Sequence, residues 1–188
     1  MLEFPVIFKL QIYVFYLGVK FYIHLWFDAP HGPWEKISPY DTWYKPNMWE
    51  GRDSRNAKYA TMVSSMDANI GRLRKAIVDL GIERTTLIVF LSDNGPEELA
   101  GSAGPYKGRK RSLFEGGIRV PCIWQWKGVI PENQRADFFG LSTDLFPTFI
   151  EAAGIEKPPH VRIDGISLLA LLTAKEKVKK GDERTVTW

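Results

Sequence analysis

The stretch that decides the fold runs from Thr86 to Pro121 and reads TLIVFLSDNGPEELAGSAGPYKGRKRSLFEGGIRVP. It opens with an apolar run without polar alternation, Leu87 to Leu91, which predicts a strand covered on both faces, as in a parallel sheet between helix layers. A loop with acidic, glycine and basic residues follows, and then a second apolar run at 120–126. The order predicts a strand, a loop that carries the chemistry, and a second strand.

The loop begins with Asp93 and Asn94, which lie where the first strand ends. Ligands of parallel sheets collect at the carboxyl ends of the strands, and Gly95 and Pro96 predict a turn in which carboxylate and amide oxygens converge. Such hard donors suit Ca²⁺ or Mg²⁺, although Ca²⁺ takes about six to eight oxygens and this pair fills only part of that shell. The alternative interpretation is an ordinary turn, which Asp and Asn often form before Gly.

Four basic residues follow in the same loop: Lys107, Arg109, Lys110 and Arg111. Close to a cation site they would supply charged donors for one anionic group, with the metal ion as a Lewis acid. A solvated loop would carry the same charges. The next segment favours the first interpretation, because Gly116 and Gly117 permit backbone geometry that other residues resist, and Glu115 and Arg119 are placed to pair locally.

The flanking sequence predicts alternating helices and strands. Apolar residues recur every three or four positions from 55 to 80, which predicts an amphipathic helix with Ser54 as its N-cap and Gly81 just past its end. A shorter helix is predicted from 145 to 153, ended by Gly154. This order is typical of a three-layer α/β domain.

The N-terminal part contributes one candidate catalytic residue. Residues 21–27 predict a buried strand, and His31 follows it between Pro30 and Pro33, at a rim position that suits a general acid. A lone histidine at such a place is also often an ordinary surface or core residue. The loop after it is rich in aromatic residues, of which Trp43 is one, and these either stack on sugar rings or pack within the loop.

Composition limits the classes of function. The chain has 188 residues, 45% of them hydrophobic, which is enough for one domain with a core. The net charge of +3 is spread without a basic face, so nucleic acid is not an expected partner. One cysteine allows neither an internal disulfide nor a cysteine-based zinc site. Polar residues such as Lys9 and Lys20 interrupt the apolar first 27 residues, so a membrane span is not expected. A signal peptide is not expected either, because it would have positive charge before the apolar region and small residues at a cleavage site.

Three segments of the central stretch resemble the sulfatase family in their letters, order and spacing: Ser92 to Pro96, Gly104 to Pro105, and Lys110 to Pro121. Within the family, the sequence most resembles arylsulfatases and N-acetylgalactosamine-6-sulfatases. It extends from about Phe21 to Leu172, where DGISLL at 164–169 resembles the closing segment of the family. The resemblance implies an α/β fold, namely an incomplete alkaline-phosphatase-like three-layer sandwich with a mostly parallel central sheet.

The resemblance also implies roles for individual residues. Asp93 and Asn94 match the Ca²⁺ ligands of the family, and Lys110 matches the catalytic lysine that binds the sulfate. His31, in the pattern PHxP after a strand, matches the catalytic histidine that contacts the sulfate and its leaving oxygen. The implied substrate is a sulfated sugar or an aryl sulfate, which the parent enzyme would hydrolyse by a Ca²⁺-assisted formylglycine mechanism.

This chain departs from the family in three ways. The family nucleophile is a cysteine in a Cys-x-Pro-Ser-Arg signature, converted to formylglycine; Cys122 is followed by Ile-Trp-Gln and is expected to be an inert core thiol. The paired Asp ligands of the N-terminal half are missing, so the Ca²⁺ site is incomplete. Arg109 stands where the family has a small residue. We therefore expect the C-terminal part of a catalytic domain that is inactive, or nearly so, by itself.

The expected division of the chain is an apolar N-terminal segment at 1–20, the sulfatase-like catalytic portion at 21–173, and a charged tail at 174–188 with the start of a strand. Two other functions stay open. One is a metal-dependent phosphoester hydrolase of the same superfamily, which would need further His and Asp ligands. The other is a non-catalytic module that binds sulfated glycans or a partner chain. The sequence predicts neither a compartment nor an oligomeric state.

Overall fold

The computed structural model describes residues 8–14, 20–44, 57–136 and 138–174. Within them the elements, in chain order, are β1 Phe8–Val14, β2 Phe21–Phe27, α1 Ala57–Asp79, β3 Ile88–Leu91, α2 Glu115–Ile118, β4 Cys122–Gln125, α3 Leu145–Ala152 and α4 Leu169–Leu172. The N-cap predicted at Ser54 and the strand start predicted from Arg184 to Trp188 lie outside the described residues. Helices and short strands together confirm the α/β class.

The chain divides into two compact units. The first comprises Met1–Gly81 and Phe90–Ile123, and the second comprises Ile82–Val89 and Trp124–Trp188. All four predicted site residues fall in the first unit, together with β1, β2, α1 and α2. The candidate site can therefore be described within one unit.

The helix α1 organises the first unit. It ends where predicted, because Gly81 adopts a φ of 68°, a left-handed conformation that glycine reaches without steric cost. Its buried side chains include Thr61, whose hydroxyl accepts a hydrogen bond from the amide of Ile37 at 3.1 Å. This bond fixes the loop that follows His31 against the helix.

The strands form two small sheets. β1 and β2 are antiparallel, with Phe8 opposite Phe27 and Val14 opposite Phe21, and β3 pairs with β4 in a second two-stranded sheet. The resemblance predicts a mostly parallel sheet, but β1 and β2 run antiparallel to each other. The reason is the short connection between the two strands, since a parallel pair needs a crossover of about a dozen residues or more.

Burial differs from the prediction at two strands. In β2, Phe21 is 52% exposed and Trp26 is 53% exposed, and in β4 Cys122 is exposed. The predictions of a buried strand at 21–27 and of a core thiol were therefore wrong. An apolar run predicts burial only if other elements cover both faces of the strand. Among the described elements the main neighbour of β2 is β1, which pairs with its edge, so its faces stay partly exposed.

A buried polar pair organises the second unit. Asp144 is fully buried, and its carboxylate accepts hydrogen bonds from the amides of Leu141 at 2.8 Å and Ile166 at 2.9 Å. Thr148 is equally buried; its hydroxyl donates to the carbonyl of Asp144 at 2.6 Å and accepts from the amide of Leu168 at 2.9 Å. These bonds tie the start of α3 to the DGISLL segment.

No helix in the described ranges combines the length and the apolar character that crossing a membrane requires.

Candidate functional site

The acidic turn directly follows β3. The side-chain amide of Asn94 donates to a carboxylate oxygen of Asp93 at 2.6 Å, and the hydroxyl of Ser92 donates to the carbonyl of Asn94 at 2.8 Å. Asp93 is exposed and Asn94 is half-buried. The turn therefore brings two oxygen-bearing side chains together at the end of a strand.

The lysine loop is hydrogen-bonded to this turn through the backbone. The amide of Lys110 donates to the carbonyl of Pro96 at 3.0 Å, and the amide of Gly95 donates to the carbonyl of Gly117 at 2.8 Å. The ammonium of Lys110 lies 3.1 Å from a carboxylate oxygen of Glu97. The acidic turn, the lysine and the glycine pair thus form one connected block.

Three glycines allow this close approach. A Cβ at Gly95 would overlap the carbonyl oxygen of Gly116, and a Cβ at Gly117 would overlap the carbonyl oxygen of Ser112. The same holds for Gly116 against the carbonyl of Gly108. Gly116 and Gly117 do not adopt positive φ. They are needed because two backbones meet, rather than because of an unusual dihedral angle.

The four basic residues have different surroundings. Arg109 and Lys110 are half-buried and line a cavity of about 370 Å³. Lys107 lies outside that lining, with its ammonium 4.0 Å above the centre of the Phe114 ring, and Arg111 is 83% exposed at its side chain. Two of the four cations therefore face the cavity and two do not.

His31 is exposed on the loop after β2. Its amide donates to the carbonyl of Asp28 at 2.7 Å, and Nδ1 lies 2.7 Å from the carbonyl of Gly32. Because a carbonyl only accepts, Nδ1 is the donor, and Nε2 is the atom left to exchange a proton. These bonds stay within the loop, so the described interactions do not join His31 directly to the acidic turn or to Lys110.

The aromatic residues near His31 mostly serve loop packing. The hydroxyl of Tyr44 lies 2.7 Å from that of Ser64 on α1, and the indole of Trp34 donates to the carbonyl of Pro30 at 3.2 Å. Trp43 differs, since it is 59% exposed and meets Tyr40 edge-on. Of these rings, Trp43 has the open face that stacking on a sugar would need.

The turn offers the type of ligand that a divalent cation binds, but it offers fewer ligands than such a cation needs. The carboxylate of Asp93 and the amide oxygen of Asn94 are hard donors of the kind Ca²⁺ takes. Across the described ranges, no three His, Cys, Asp or Glu side chains cluster closely enough to hold a metal ion. Most ligands of a Ca²⁺ ion bound here would therefore have to come from other groups.

Comparison with known proteins identifies the family. The Sulfatase family model matches residues 17–155. The chain is 34% identical to the N-acetylgalactosamine-6-sulfatase of Sus scrofa over 154 residues, which cover 79% of this chain and 28% of that protein. The chain belongs to the sulfatase family, a family of sulfuric ester hydrolases, and the resemblance found in the sequence is confirmed.

Solved structures agree with this assignment. Ps i-CgsB in complex with k-i-k-neocarrahexaose superposes with a TM-score of 0.71 at 31% identity, covering 80% of this chain and 33% of that one. BT4656 in complex with its substrate D-glucosamine-2-N,6-O-disulfate gives a TM-score of 0.56 at 30% identity, covering 68% and 24%. The chain is thus an α/β portion of the alkaline-phosphatase-like sulfatase fold, and it spans about a third or less of these relatives.

Proposed function

We propose that the protein to which this chain belongs hydrolyses sulfate esters of sugars, and that this chain supplies the part of the site that holds the sulfate group. The observation that carries the proposal is the hydrogen bond from the amide of Lys110 to the carbonyl of Pro96. This backbone bond joins Lys110 to the segment that directly follows Asp93 and Asn94, and the ammonium of Lys110 pairs there with Glu97 at 3.1 Å. Sugar sulfates are favoured because similar proteins include an N-acetylgalactosamine-6-sulfatase and a structure bound to a glucosamine disulfate.

Lys110 is assigned to the sulfate oxygens. An ammonium has three N–H donors, and the contact with Glu97 occupies one of them. The remaining donors can form charge-assisted hydrogen bonds with a sulfate, which are stronger than bonds between neutral groups. Lys110 thereby holds the group that is to be cleaved from the sugar.

Asp93 and Asn94 are assigned to a Ca²⁺ ion, which would require further ligands. When bound, the ion supplies positive charge against the sulfate oxygens. Binding would require the amide of Asn94 to present its oxygen, while the carboxylate of Asp93 contributes a negative charge. Both residues follow β3 directly, which places the two donors at one end of the strand.

His31 is assigned to the leaving oxygen of the sugar. Hydrolysis consumes one water and yields an alcohol and hydrogen sulfate, so the leaving oxygen must gain a proton. Protonated His31 would donate that proton from Nε2, because Nδ1 is engaged by the carbonyl of Gly32. The exposed position of His31 leaves this nitrogen accessible to a substrate.

We further propose that the 188-residue chain alone does not turn over substrate. Family members use a formylglycine made from a cysteine in a Cys-x-Pro-Ser-Arg signature, and the single cysteine here, Cys122, is not in that context. Without the nucleophile, binding and electrostatics are what remain. Release of p-nitrophenol from p-nitrophenyl sulfate by the purified chain, lost in Lys110→Met, would disprove this.

The sulfate-binding role is tested by titrating inorganic sulfate into the chain and measuring heat. Lys110→Met should reduce the affinity about tenfold or more, because a charge-assisted contact is lost. The control is Lys75→Met, which removes an equally charged but exposed side chain that pairs with Asp79 on α1. Equal sulfate affinities for the two variants would overturn the assignment of Lys110.

A further inference from the structure

Arg109 is a cation without an acidic partner among the described residues. Its Nη1 donates to the backbone carbonyls of Gly101 at 2.8 Å and Glu98 at 3.2 Å, and these are the hydrogen bonds its guanidinium makes there. By contrast, Lys110 and Arg111 both lie within 4.0 Å of the carboxylate of Glu97. The Nε and Nη2 donors of Arg109 are therefore available to a ligand.

Burial makes these donors significant. The side chain of Arg109 is half-buried, and removing a charge from water costs free energy unless other groups compensate it. Two carbonyl dipoles from one side compensate only part of that cost. The planar guanidinium also offers a fork of donors that matches the two oxygens of a carboxylate or a sulfate.

The cavity beside Arg109 is open to solvent and large enough for one sugar ring. Its volume of about 370 Å³ lies within the range of small-molecule sites, roughly 300–1,000 Å³. Lys110 and Arg109 contribute positive charge to its lining, and Tyr106 contributes an aromatic ring, over which the guanidinium of Arg119 lies at 4.7 Å from the ring centre. Glu98 also lines the cavity, and it forms no ion pair with either cation in the described structure.

We infer that Arg109 recognises a second anionic group, a sulfate or a carboxylate, on the same sugar whose sulfate ester Lys110 holds. This inference rests on the proposed function and narrows its substrate class to doubly charged sulfated sugars. Arg109 acts here as a specificity-determining residue, because the group it binds is not the one that is cleaved.

The test compares two sugars that differ by one charge, at about 0.15 M salt so that exposed charges are screened. The probes are N-acetylglucosamine-6-O-sulfate and glucosamine-2-N,6-O-disulfate, titrated into the 188-residue chain. The wild-type chain should bind the disulfate about tenfold more tightly or better. Arg109→Met should remove that preference and leave the affinity for the monosulfate unchanged.

Arg111→Met is the matched control, because it removes the same charge from the same loop at an exposed position outside the cavity lining. It should leave the preference intact. Arg109→Lys is the second variant: it keeps the charge but loses the fork, and should retain less than half of the preference. It decides the question if circular dichroism shows that Arg109→Met does not fold.

Equal binding of the two sugars by the wild-type chain would overturn the inference, as would an equal loss of preference in Arg109→Met and Arg111→Met. The role of Lys110 is judged separately. Lys110→Met should weaken binding of both sugars, and a failure of the wild-type chain to bind the monosulfate would count against Lys110. The role of Arg109 is decided only by the ratio of the affinities for the disulfate and the monosulfate.

Discussion

The backbone amide of Gly95 donates to the carbonyl of Gly117 at 2.8 Å, which joins the acidic turn to the EGG segment beyond the lysine loop. The bond between Lys110 and Pro96 lies in the same block. The candidate metal ligands and the candidate sulfate-binding lysine are therefore linked by backbone hydrogen bonds. Substitutions that push these backbones apart should disturb both groups at once.

Gly95→Ala should destabilise the chain by about 2–3 kcal/mol or more, because the new Cβ overlaps a backbone carbonyl that cannot swing away as a side chain would. The control is Gly71→Ala, in the exposed middle of α1, where a Cβ meets nothing within 4 Å. That change should stabilise the helix by up to about 1 kcal/mol. Urea unfolding measures both, and a neutral Gly95→Ala would contradict the close approach.

Thr148→Val should lower the free energy of unfolding by about 1–3 kcal/mol, because the partly buried amide of Leu168 loses its acceptor, the fully buried hydroxyl of Thr148, while the side-chain shape is kept. Thr143→Val makes the same chemical change at an exposed position and should have little effect. Thermal or urea unfolding of the two variants provides the measurement. Similar stabilities would show that the link between α3 and the DGISLL segment contributes little.

Ca²⁺ should strengthen sulfate binding through Asp93. With two side-chain ligands the ion is expected to bind weakly, with a Kd on the order of 1 mM, and Asp93→Asn should remove the effect because the carboxylate charge is lost. Sulfate is titrated into the chain at Ca²⁺ concentrations that rise in tenfold steps to about 1 mM, the expected Kd. The titration is then repeated after a chelator has removed the Ca²⁺. Asp79→Asn, exposed at the end of α1, is the control. Calcium dependence that persists in Asp93→Asn would exclude this residue as a ligand.

Alkaline pH should destabilise the chain through Tyr59. Burial raises the pKa of its phenol above the ordinary value of 10.0, so the folded state favours the neutral form. This contribution to stability is complete below about pH 10 and is lost as the pH rises through the raised pKa. Tyr59→Phe should therefore lose less stability above pH 10 than the wild-type chain does.

The pH experiment compares unfolding free energies on both sides of about pH 10. Burial also raises the pKa of Tyr22, so the alkaline loss in Tyr59→Phe should be reduced rather than abolished. Tyr106→Phe, at an exposed ring, provides the control and should follow the wild-type profile. A Tyr59→Phe profile identical to that of the wild type would contradict the assignment.

Local patterns allowed most elements to be predicted. The helix expected at 55–80 is found at Ala57–Asp79, and the one expected at 145–153 is found at Leu145–Ala152. Both end beside a glycine in the left-handed region, at Gly81 and Gly154. Periodicity and end signals are contained within each segment, so the sequence carries them directly.

Burial and tertiary contacts could not be predicted in the same way. The apolar letters of β2 do not reveal that Phe21 and Trp26 are exposed, because exposure depends on which elements pack against the strand. Asp144 was missed, although a Ser-Thr-Asp sequence before an apolar run is a helix-start signal. The sequence placed Arg109 in the basic cluster and marked it as a departure from the family, but it could not separate Arg109 from the other three cations, since its bonds to carbonyls at positions 98 and 101 exist only in the folded loop.

The ion pair between Lys110 and Glu97 affects which solutes compete for the loop. The carboxylate of Glu97 offsets much of the electrostatic attraction of the Lys110 ammonium for distant anions. Chloride and other simple buffer anions should therefore bind there only weakly. A tetrahedral oxyanion can still present several acceptors to the two N–H groups that Glu97 leaves unoccupied. At high ionic strength, the selectivity of the loop for oxyanions then depends more on the shape of the anion than on its charge.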